Sequence, residues 1–223
     1  MNFLAVDATG ESLLLAVGDE KGSWTSNRAS RAHDERLWPR LEALLRRSGL
    51  RLSDIDAVAA SSGPGRFTGV RIGMTFAAML ARSLGRPALA ISRFEVEAAK
   101  ARQSAEAFAV VLPAGRQGAP ESEFYIQVFG ANGRPSAKPA WAPSARLAGH
   151  LKGISALAGP AAPAAAELLA REGEGVPSIL RCPSAPGAAL LQAAARQWSD
   201  RRRAPFKPLY VKPAKFEMPR SER

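Results

Sequence analysis

The sequence has few of the residues that build metal centres and disulfide frameworks. Among its 223 residues are one cysteine, Cys182, and two histidines, His33 and His150. A single cysteine cannot form a disulfide within the chain, and a transition-metal site needs three or four converging ligands. The residue four positions after His33 is Leu37, so a helical histidine pair is also missing. We therefore predict neither a disulfide framework nor a metal site built from this chain alone.

Long apolar runs and acidic residues are also scarce. No stretch approaches the roughly 18 apolar residues of a membrane helix, and the start of the sequence lacks the basic region of a signal peptide. We therefore expect a cytoplasmic protein with no membrane partner. Lys and Arg outnumber Asp and Glu by 31 to 20, giving a net charge of +11. Such an excess indicates either a polyanion partner such as nucleic acid or simply a basic proteome.

The densest basic cluster lies near the C-terminal end of the sequence. It consists of Arg201, Arg202, Arg203, Lys207, Lys212 and Lys215. A solvated tail and a contact with a polyanion explain this cluster equally well.

Apolar periodicity predicts the same order of elements twice along the chain. In the first half we predict strands at 3–8, 11–18 and 23–27, a helix at 33–48, and a strand at 55–60. A helix at 69–84, a strand at 88–91 and a helix from 93 capped by Ser92 follow. The second half repeats this βββαβαβα order, ending in a helix at 185–199. We therefore predict a duplicated α/β fold with mixed sheets, divided into residues 1–101 and a smaller, divergent unit at 102–223 with an extended basic tail.

The most distinctive local sequence is the glycine-rich segment 61–73, SSGPGRFTGVRIG. Gly63 and Gly65 allow unusual backbone angles in a tight turn, and Thr68 is expected to cap the following helix. Amides at such a helix start can hold a phosphate, but no Gly-Lys-Ser/Thr follows, which excludes a Walker A loop. A structural turn and an anion site both remain open at this point.

Two patterns on the first two long helices indicate a contact surface. Gly69, Gly73, Ala77 and Ala81 recur every fourth residue and form a strip of small side chains that lets another element approach closely. Leu37, Leu41 and Leu44 form the apolar stripe of the preceding helix. Core packing and a separate subunit are both able to fill these surfaces.

Two further turns could contact a nucleotide. Asp7 and Thr9 lie in the first hairpin, where actin-like ATPases and sugar kinases place residues that approach phosphate and magnesium. A lone Asp in a hairpin is more often a turn-former. Gly159 follows a predicted strand, as an adenosine-binding glycine would, but it stands alone before Pro160. We expect no nucleotide hydrolysis by this chain by itself.

Several of these segments together resemble the TsaB/YeaZ family. Residues 62–73 resemble its Gly-Pro-Gly-Ser-Phe-Thr-Gly-x-Arg-x-Gly signature, which includes Gly63, Pro64, Gly65, Phe67, Thr68 and Arg71. Residues 4–9 resemble its opening strand and turn, and residues 208–211, PLYV, resemble its Pro-x-Tyr-Leu motif. One departure is clear, because residues 113–116, PAGR, replace the family's Asp-Ala-Arg and an apparent insertion at 114–122 follows.

The resemblance implies a duplicated RNase-H-like, actin-like (ASKHA) fold and a non-catalytic role in the machinery that makes threonylcarbamoyladenosine on tRNA. It makes tRNA an expected partner, contacted indirectly or through the basic C-terminal cluster. It implies a TsaD-type catalytic subunit and a TsaE-type ATPase as partners, and ATP, ADP and metal would belong to those partners. The family's dimer interface on the first two helices maps onto His33, Leu37, Leu41, Leu44, Gly69, Gly73, Ala77 and Ala81. The sequence leaves a homodimer and a monomer in isolation open.

The alternative function is enzymatic. A metallopeptidase of the glycoprotease-like kind, or an ATP-dependent phosphotransferase of the actin-like superfamily, would share the predicted fold. Either would require a bound metal, or ATP held near Asp7.

Overall fold

The chain forms two compact units, each built around its own five-stranded sheet. The computed structural model describes residues 1–19, 22–29, 33–101, 106–114, 123–181, 185–200 and 205–212. Met1–Lys100 and Pro183–Leu209 make up the first unit, and Ala101–Cys182 and Tyr210–Arg223 the second. Within the described residues, no helix is long and apolar enough to cross a membrane. The predicted insertion at 114–122 lies outside them except for Ala114.

The first unit follows the predicted order of elements closely. Its elements are β1 (Phe3–Asp7), β2 (Ser12–Gly18), β3 (Ser23–Ala29), α1 (His33–Ser48), β4 (Ala57–Gly63), α2 (Phe67–Ser83), β5 (Ala88–Ser92) and α3 (Arg93–Lys100), with a short 3-10 turn at Leu52–Asp54. The sheet order is β3-β2-β1-β4-β5. The hairpin strands pair antiparallel, whereas β1–β4 and β4–β5 pair parallel.

The second unit repeats this arrangement. Its elements are β6 (Phe108–Pro113), β7 (Glu123–Phe129), β8 (Ala140–Pro143), α4 (Leu147–Leu151), β9 (Ala156–Ala158), α5 (Ala162–Arg171) and β10 (Ser178–Ile179), with a 3-10 turn at Ser144–Arg146. The sheet order β10-β9-β6-β7-β8 is that of the first sheet read from its other edge, with each strand replaced by its counterpart. The duplicated mixed α/β architecture of an RNase-H-like, actin-like fold is therefore confirmed.

The last helix, α6 (Pro186–Ser199), belongs to the first unit, although its place in the sequence falls in the second half. Leu190 and Leu191 are buried in the cluster that contains Leu89 and Ile91 of β5. The Gln197 side-chain amide donates a hydrogen bond of 2.7 Å to the Ala90 carbonyl. The predicted division between residues 101 and 102 assigns this helix to the second unit. The structure instead packs it on the first sheet, in the first unit.

Each face of the first sheet is covered by a different helix layer. Strand β1 is buried on both sides, so its residues alternate between two clusters: Leu4 and Val6 face α1 and α2, whereas Phe3 and Ala5 face α3 and α6. Burial on both faces explains why the first strand is apolar from Phe3 to Val6, without the alternation of a half-exposed strand. Helices α1 and α2 thus lie side by side on one face of the sheet.

Candidate functional site

The glycine-rich turn between β4 and α2 is held by the C-terminal part of the first unit. Gly63 has a φ of +103°, in the region that favours glycine, and precedes a cis peptide bond to Pro64. The Leu209 amide donates a hydrogen bond of 2.8 Å to the Ser62 carbonyl. A side chain on Gly63 would lie 3.1 Å from the Leu209 carbonyl oxygen. The two sequence motifs, 62–73 and 208–211, therefore meet at Ser62 and Leu209.

The same turn is joined to the first hairpin. Arg66 donates its amide to the Thr9 carbonyl at 2.8 Å. A Cβ on Gly65 would lie 2.6 Å from the Thr9 carbonyl oxygen, so Gly65 is required for this close approach. The expectation that Gly65 serves an unusual backbone angle is wrong, since its φ is not positive. Asp7 shapes the hairpin from within, because its Oδ1 accepts from the Thr9 amide at 2.8 Å and from the Thr9 hydroxyl at 2.6 Å.

A small cavity lies beside this hairpin. Its volume is about 240 Å³, and its lining includes Asp7, Arg93, Glu97 and Lys100. Lys100 pairs with Glu97 at 2.6 Å, and both side chains are largely buried. Because the Asp7 carboxylate is engaged by Thr9 and the cavity's lysine by a glutamate, the charges here stabilise the turn and α3. Proximity of Asp7 and Thr9 to a nucleotide remains a prediction.

The turn between β9 and α5 in the second unit also contains a glycine that allows a close approach to a backbone carbonyl. Gly159 follows β9, and a Cβ there would lie 2.6 Å from the Val111 carbonyl oxygen. The Ala161 amide donates to that carbonyl at 3.2 Å. The single glycine therefore serves the close approach of α5 to β6.

Of the two residues predicted to cap helices, Ser92 does so and Thr68 does not. Ser92 caps α3 as expected: its hydroxyl accepts from the Glu95 amide at 3.1 Å, and Glu95 accepts from the Ser92 amide at 2.8 Å. The expectation for Thr68 is wrong. Helix α2 begins at Phe67 with Arg66 as its N-cap and without a side-chain cap, so Thr68 lies inside the first turn and is exposed.

The strip of small residues on α2 faces inward, which corrects its assignment to a subunit interface. A Cβ on Gly69 would lie 1.9 Å from the Ala8 carbonyl oxygen. Gly73 also lies against Ala8, while Ala77 and Ala81 are 0% and 2% exposed in the core cluster. The small side chains let α2 approach β1 and its turn. They are not available to another subunit.

The assignment of the α1 leucine stripe to a subunit interface is also wrong, because these leucines face the core. Leu37, Leu41 and Leu44 are at most 3% exposed and pack in the core cluster beneath α1 and α2. His33 begins the helix, and its side chain lies outside the described ones. Whether α1 and α2 form the interface through their other faces stays a prediction.

Those other faces carry exposed apolar side chains that the periodicity did not single out. Trp38 on α1 is 43% exposed, and on α2 Phe67 and Met79 are 53% and 58% exposed. The Arg71 guanidinium lies 3.8 Å above the centroid of the Phe67 ring, a cation–π contact within the signature segment. We call the outward-facing residues of α1 and α2 the helix-layer surface. Large exposed apolar side chains in one layer are typical of an interaction site.

The basic C-terminal cluster is only partly described. The Lys212 ammonium bonds both carboxylate oxygens of Glu123, at 2.7 and 2.5 Å, and lies 4.9 Å from the centroid of the Trp141 ring. Lys207 is exposed, whereas residues 201–203 and Lys215 lie outside the described residues. Next to this group, burial raises the pKa of the Tyr125 phenol, and the Glu123 carboxylate raises it further. Lys212 therefore serves the second unit's own packing, and contact with tRNA stays a prediction.

No group of three or more His, Cys, Asp or Glu side chains that could hold a metal ion occurs in the part of the chain that the structure describes.

Comparison with known proteins identifies the family. The family model described as "TsaD: tRNA N6-adenosine threonylcarbamoyltransferase" matches residues 24–183, more than half of the chain. The chain belongs to this family. It is also similar to YeaZ from Pseudomonas aeruginosa, with a TM-score of 0.74 and 27% identity over 94% of this chain and 99% of that one. The expected TsaB/YeaZ membership is confirmed.

A second Pseudomonas aeruginosa structure gives the same result. It is described as an uncharacterized protein with similarity to peptidase YEAZ, and it matches 95% of this chain and 99% of its own at a TM-score of 0.74 and 28% identity.

Curated members of the TsaD family match only a short part of the chain. The tRNA N6-adenosine threonylcarbamoyltransferase of Erythrobacter litoralis is 42% identical over 74 residues, which are 33% of this chain and 22% of that protein. The Rhizobium meliloti enzyme of the same name is 45% identical over 74 residues, or 21% of its length. The match to this chain thus spans about a fifth of the length of these transferases.

Proposed function

We propose that this chain is the non-catalytic partner subunit for threonylcarbamoyl transfer to an anticodon-loop adenosine of tRNA. In this proposal it binds and activates a TsaD-type catalytic subunit, and a TsaE-type ATPase joins the assembled complex. The observation that carries the proposal is the contrast in coverage. The chain matches YeaZ over 94% of its own length and 99% of that chain, whereas it matches the named transferases over about a fifth of theirs.

The residues of α1 support a non-catalytic role. The resemblance to TsaB/YeaZ proteins implies that the TsaD-type subunit binds metal through a His-x-x-x-His pair on its corresponding first helix, and His33 occupies the first of these positions in this chain. Here the second position is Leu37, which is 3% exposed and packs in the core. An apolar side chain in the core offers no ligand atom. We accordingly assign metal, ATP and ADP to the partner subunits.

The surface for the catalytic subunit is the helix-layer surface. Its exposed Phe67, Met79 and Trp38 would be buried in a complex, and aromatic residues and methionine are enriched in protein interfaces. A few such anchors supply most of the binding energy of an interface, and truncating one typically costs about 2 kcal/mol or more, equivalent to a loss of roughly 30-fold in affinity.

The test is binding to the TsaD-type subunit from the same organism, with matched variants. Met79→Glu places a charge in the proposed interface, and Val176→Glu places the same charge on an equally exposed apolar residue of the second unit, 57% against 58%. We expect the first to abolish co-purification and the second to leave it intact. Equal binding by both variants would remove the helix-layer surface as the interface.

The enzymatic alternative has its own readout. A metallopeptidase or phosphotransferase would bind one metal ion or one Mg-ATP per chain without a partner. Metal analysis of the purified protein and calorimetry with Mg-ATP measure this directly, and stoichiometric binding of either would favour the enzyme over the partner subunit.

A further inference from the structure

Strand β10 forms an edge of the second sheet, and no other strand of the described residues pairs with its outer side. On its inner side the Ser178 amide donates to the Ser155 carbonyl at 2.9 Å. The Leu180 amide donates to the Leu157 carbonyl at 2.8 Å. Because alternate residues of a strand direct their backbone groups to opposite sides, Ile179 directs its amide and carbonyl outward. Such an edge can pair with another strand.

Exposed apolar side chains and a cavity accompany this edge. Val176 and Ile179 are 57% and 49% exposed. An open cavity of about 650 Å³ adjoins the start of the strand, and its lining includes Val176, Pro177 and the charged residues Lys152 and Glu174. The unpaired backbone groups, the apolar side chains and the cavity therefore occur together, all within the second unit.

The two ends of this edge carry opposite charges. Glu174 precedes β10 and Arg181 follows it, and both are exposed. The Glu174 amide donates to the Leu169 carbonyl at 3.0 Å, which fixes the exit of the chain from α5 towards the strand. Charged residues at a sheet edge ordinarily prevent indiscriminate pairing. With an acid at one end and a base at the other, antiparallel pairing of two identical edges brings opposite charges together, whereas parallel pairing brings like charges together.

We infer that the β10 edge is a self-association surface, on which two copies of this chain pair their edge strands antiparallel about a two-fold axis. Such an interface uses the same patch of both copies. With Ile179 on the axis, its amide and carbonyl bond those of Ile179 in the second copy. The Arg181 amide of each copy donates to the Pro177 carbonyl of the other, a position that can only accept because proline has no amide hydrogen.

This register also brings the Arg181 side chain to the cavity of the other copy. Ile179 lies beside Leu157, which packs in the cluster that contains α5, and side chains two residues apart share a face of the sheet. Arg181 and Pro177 therefore lie on the α5 face too. Arg181 of the second copy lies opposite Pro177 in the cavity wall, where it meets the Glu174 carboxylate. The charge complementarity thus identifies a second copy of the chain as the occupant of this edge.

Reversing the charges singly and together tests the pairing. In a Met79→Glu background, where the helix-layer surface carries a charge, we expect Arg181→Glu and Glu174→Arg each to weaken self-association about tenfold by sedimentation. The double variant restores opposite charges and should return to within about threefold of the starting chain. Lys138→Glu is the control, since Lys138 is exposed in the connection between β7 and β8. Circular dichroism confirms that each variant is folded.

These reversals also provide the contradicting results. Self-association that neither single reversal weakens would overturn the inference. A double variant that associates as weakly as the single variants would overturn it as well, because the loss would then come from disturbance of the edge and not from charge pairing.

Cysteine cross-linking tests the register itself. The paired residues of a hydrogen-bonded antiparallel position have Cα atoms about 5.5 Å apart, within the range of a disulfide. In a Cys182→Ser background, Ile179→Cys should therefore give a disulfide-linked dimer under mild oxidation. Val176→Cys is the control, because residues three positions from the axis lie roughly 20 Å apart across it. Equal cross-linking of the two variants would contradict the register.

The inference does not rest on the proposed function, since it uses a different surface. Met79→Glu should lose the catalytic subunit and keep the contact through the β10 edge, whereas Val176→Glu should weaken self-association and keep the catalytic subunit. A Met79→Glu chain that is monomeric at about 1 mM would overturn the inference and leave the partner role intact. An unmodified chain that pairs through the β10 edge but does not bind the catalytic subunit would refute the partner role alone.

Discussion

The packing of α2 against the first hairpin predicts opposite effects for two substitutions one turn apart. Gly69→Ala adds a methyl group 1.9 Å from the Ala8 carbonyl oxygen and 2.9 Å from its carbonyl carbon. Gly73→Ala adds the same group 3.6 Å from the Ala8 Cβ and 4.0 Å from a Val6 methyl group. The first contact is with backbone and far too close, whereas the second is ordinary van der Waals contact.

The magnitude follows from two opposing terms. Replacing glycine by alanine inside a helix gains up to about 1 kcal/mol. At Gly69 the helix and the hairpin must separate by about 1.5 Å to reach a normal carbon–oxygen distance, and such overpacking costs about 1–3 kcal/mol or more. We therefore expect Gly69→Ala to lower the free energy of unfolding by about 1–2 kcal/mol net, and Gly73→Ala to raise it by as much as about 1 kcal/mol.

Chemical and thermal denaturation of both variants beside the unmodified chain measure these changes. For a protein of this size, 1 kcal/mol shifts the midpoint of thermal unfolding by about 2–4 °C. The expected result is a lower midpoint for Gly69→Ala and an equal or higher one for Gly73→Ala. Equal stability of both variants would show that α2 does not pack on Ala8 as described, and the small-residue strip would again be available for an interface.

Two further predictions concern polar groups. Asp7→Ala should lower the free energy of unfolding by about 1–3 kcal/mol, because it leaves the Thr9 amide and its buried hydroxyl without their acceptor; unchanged stability in denaturant titration would return Asp7 to the candidates for ligand binding. The phenol of Tyr125 should ionise above its ordinary pKa of 10.0, because burial and the Glu123 carboxylate disfavour the phenolate. Since the folded-state pKa is raised, the associated stability is fully present below pH 10 and is lost as the pH rises from there through the raised pKa of the folded state. Phenolate absorbance in a Tyr210→Phe background measures it, and an ordinary pKa would contradict the burial of Tyr125.

The sequence predicts most of the architecture because local signals define each element. The leucine spacing places α1 at residues 33–48, as found, and the recurrence of elements correctly predicts two sheets of one topology. The place of α6 could not be predicted in this way. Its amphipathic pattern specifies a buried face but not which sheet it meets, and the hydrogen bond from Gln197 to Ala90 joins residues 107 apart.

The main wrong prediction is that the small-residue strip on α2 faces another subunit, and the reason for it is physical. A helix that is apolar on most sides gives no sequence signal for which side meets its own sheet and which side meets a partner. Only the close approach of Gly69 to Ala8 determines the orientation. Once it is fixed, Phe67 and Met79 are left on the outside.

The Lys212–Glu123 pair could not be predicted for a related reason. These residues are 89 positions apart, and a lysine in a basic cluster predicts a solvated or nucleic-acid-binding side chain. In the fold this lysine bonds a carboxylate beside an aromatic ring instead.

The central claim is that this chain works as the partner of a TsaD-type catalytic subunit. The most direct measurement is threonylcarbamoyl transfer to tRNA in a reconstituted reaction, with the catalytic subunit and the ATPase present throughout and this chain added or omitted. The claim predicts product only when the chain is present, and its loss when Met79→Glu replaces the unmodified chain. Undiminished transfer without the chain, or transfer by the chain without the catalytic subunit, would contradict it.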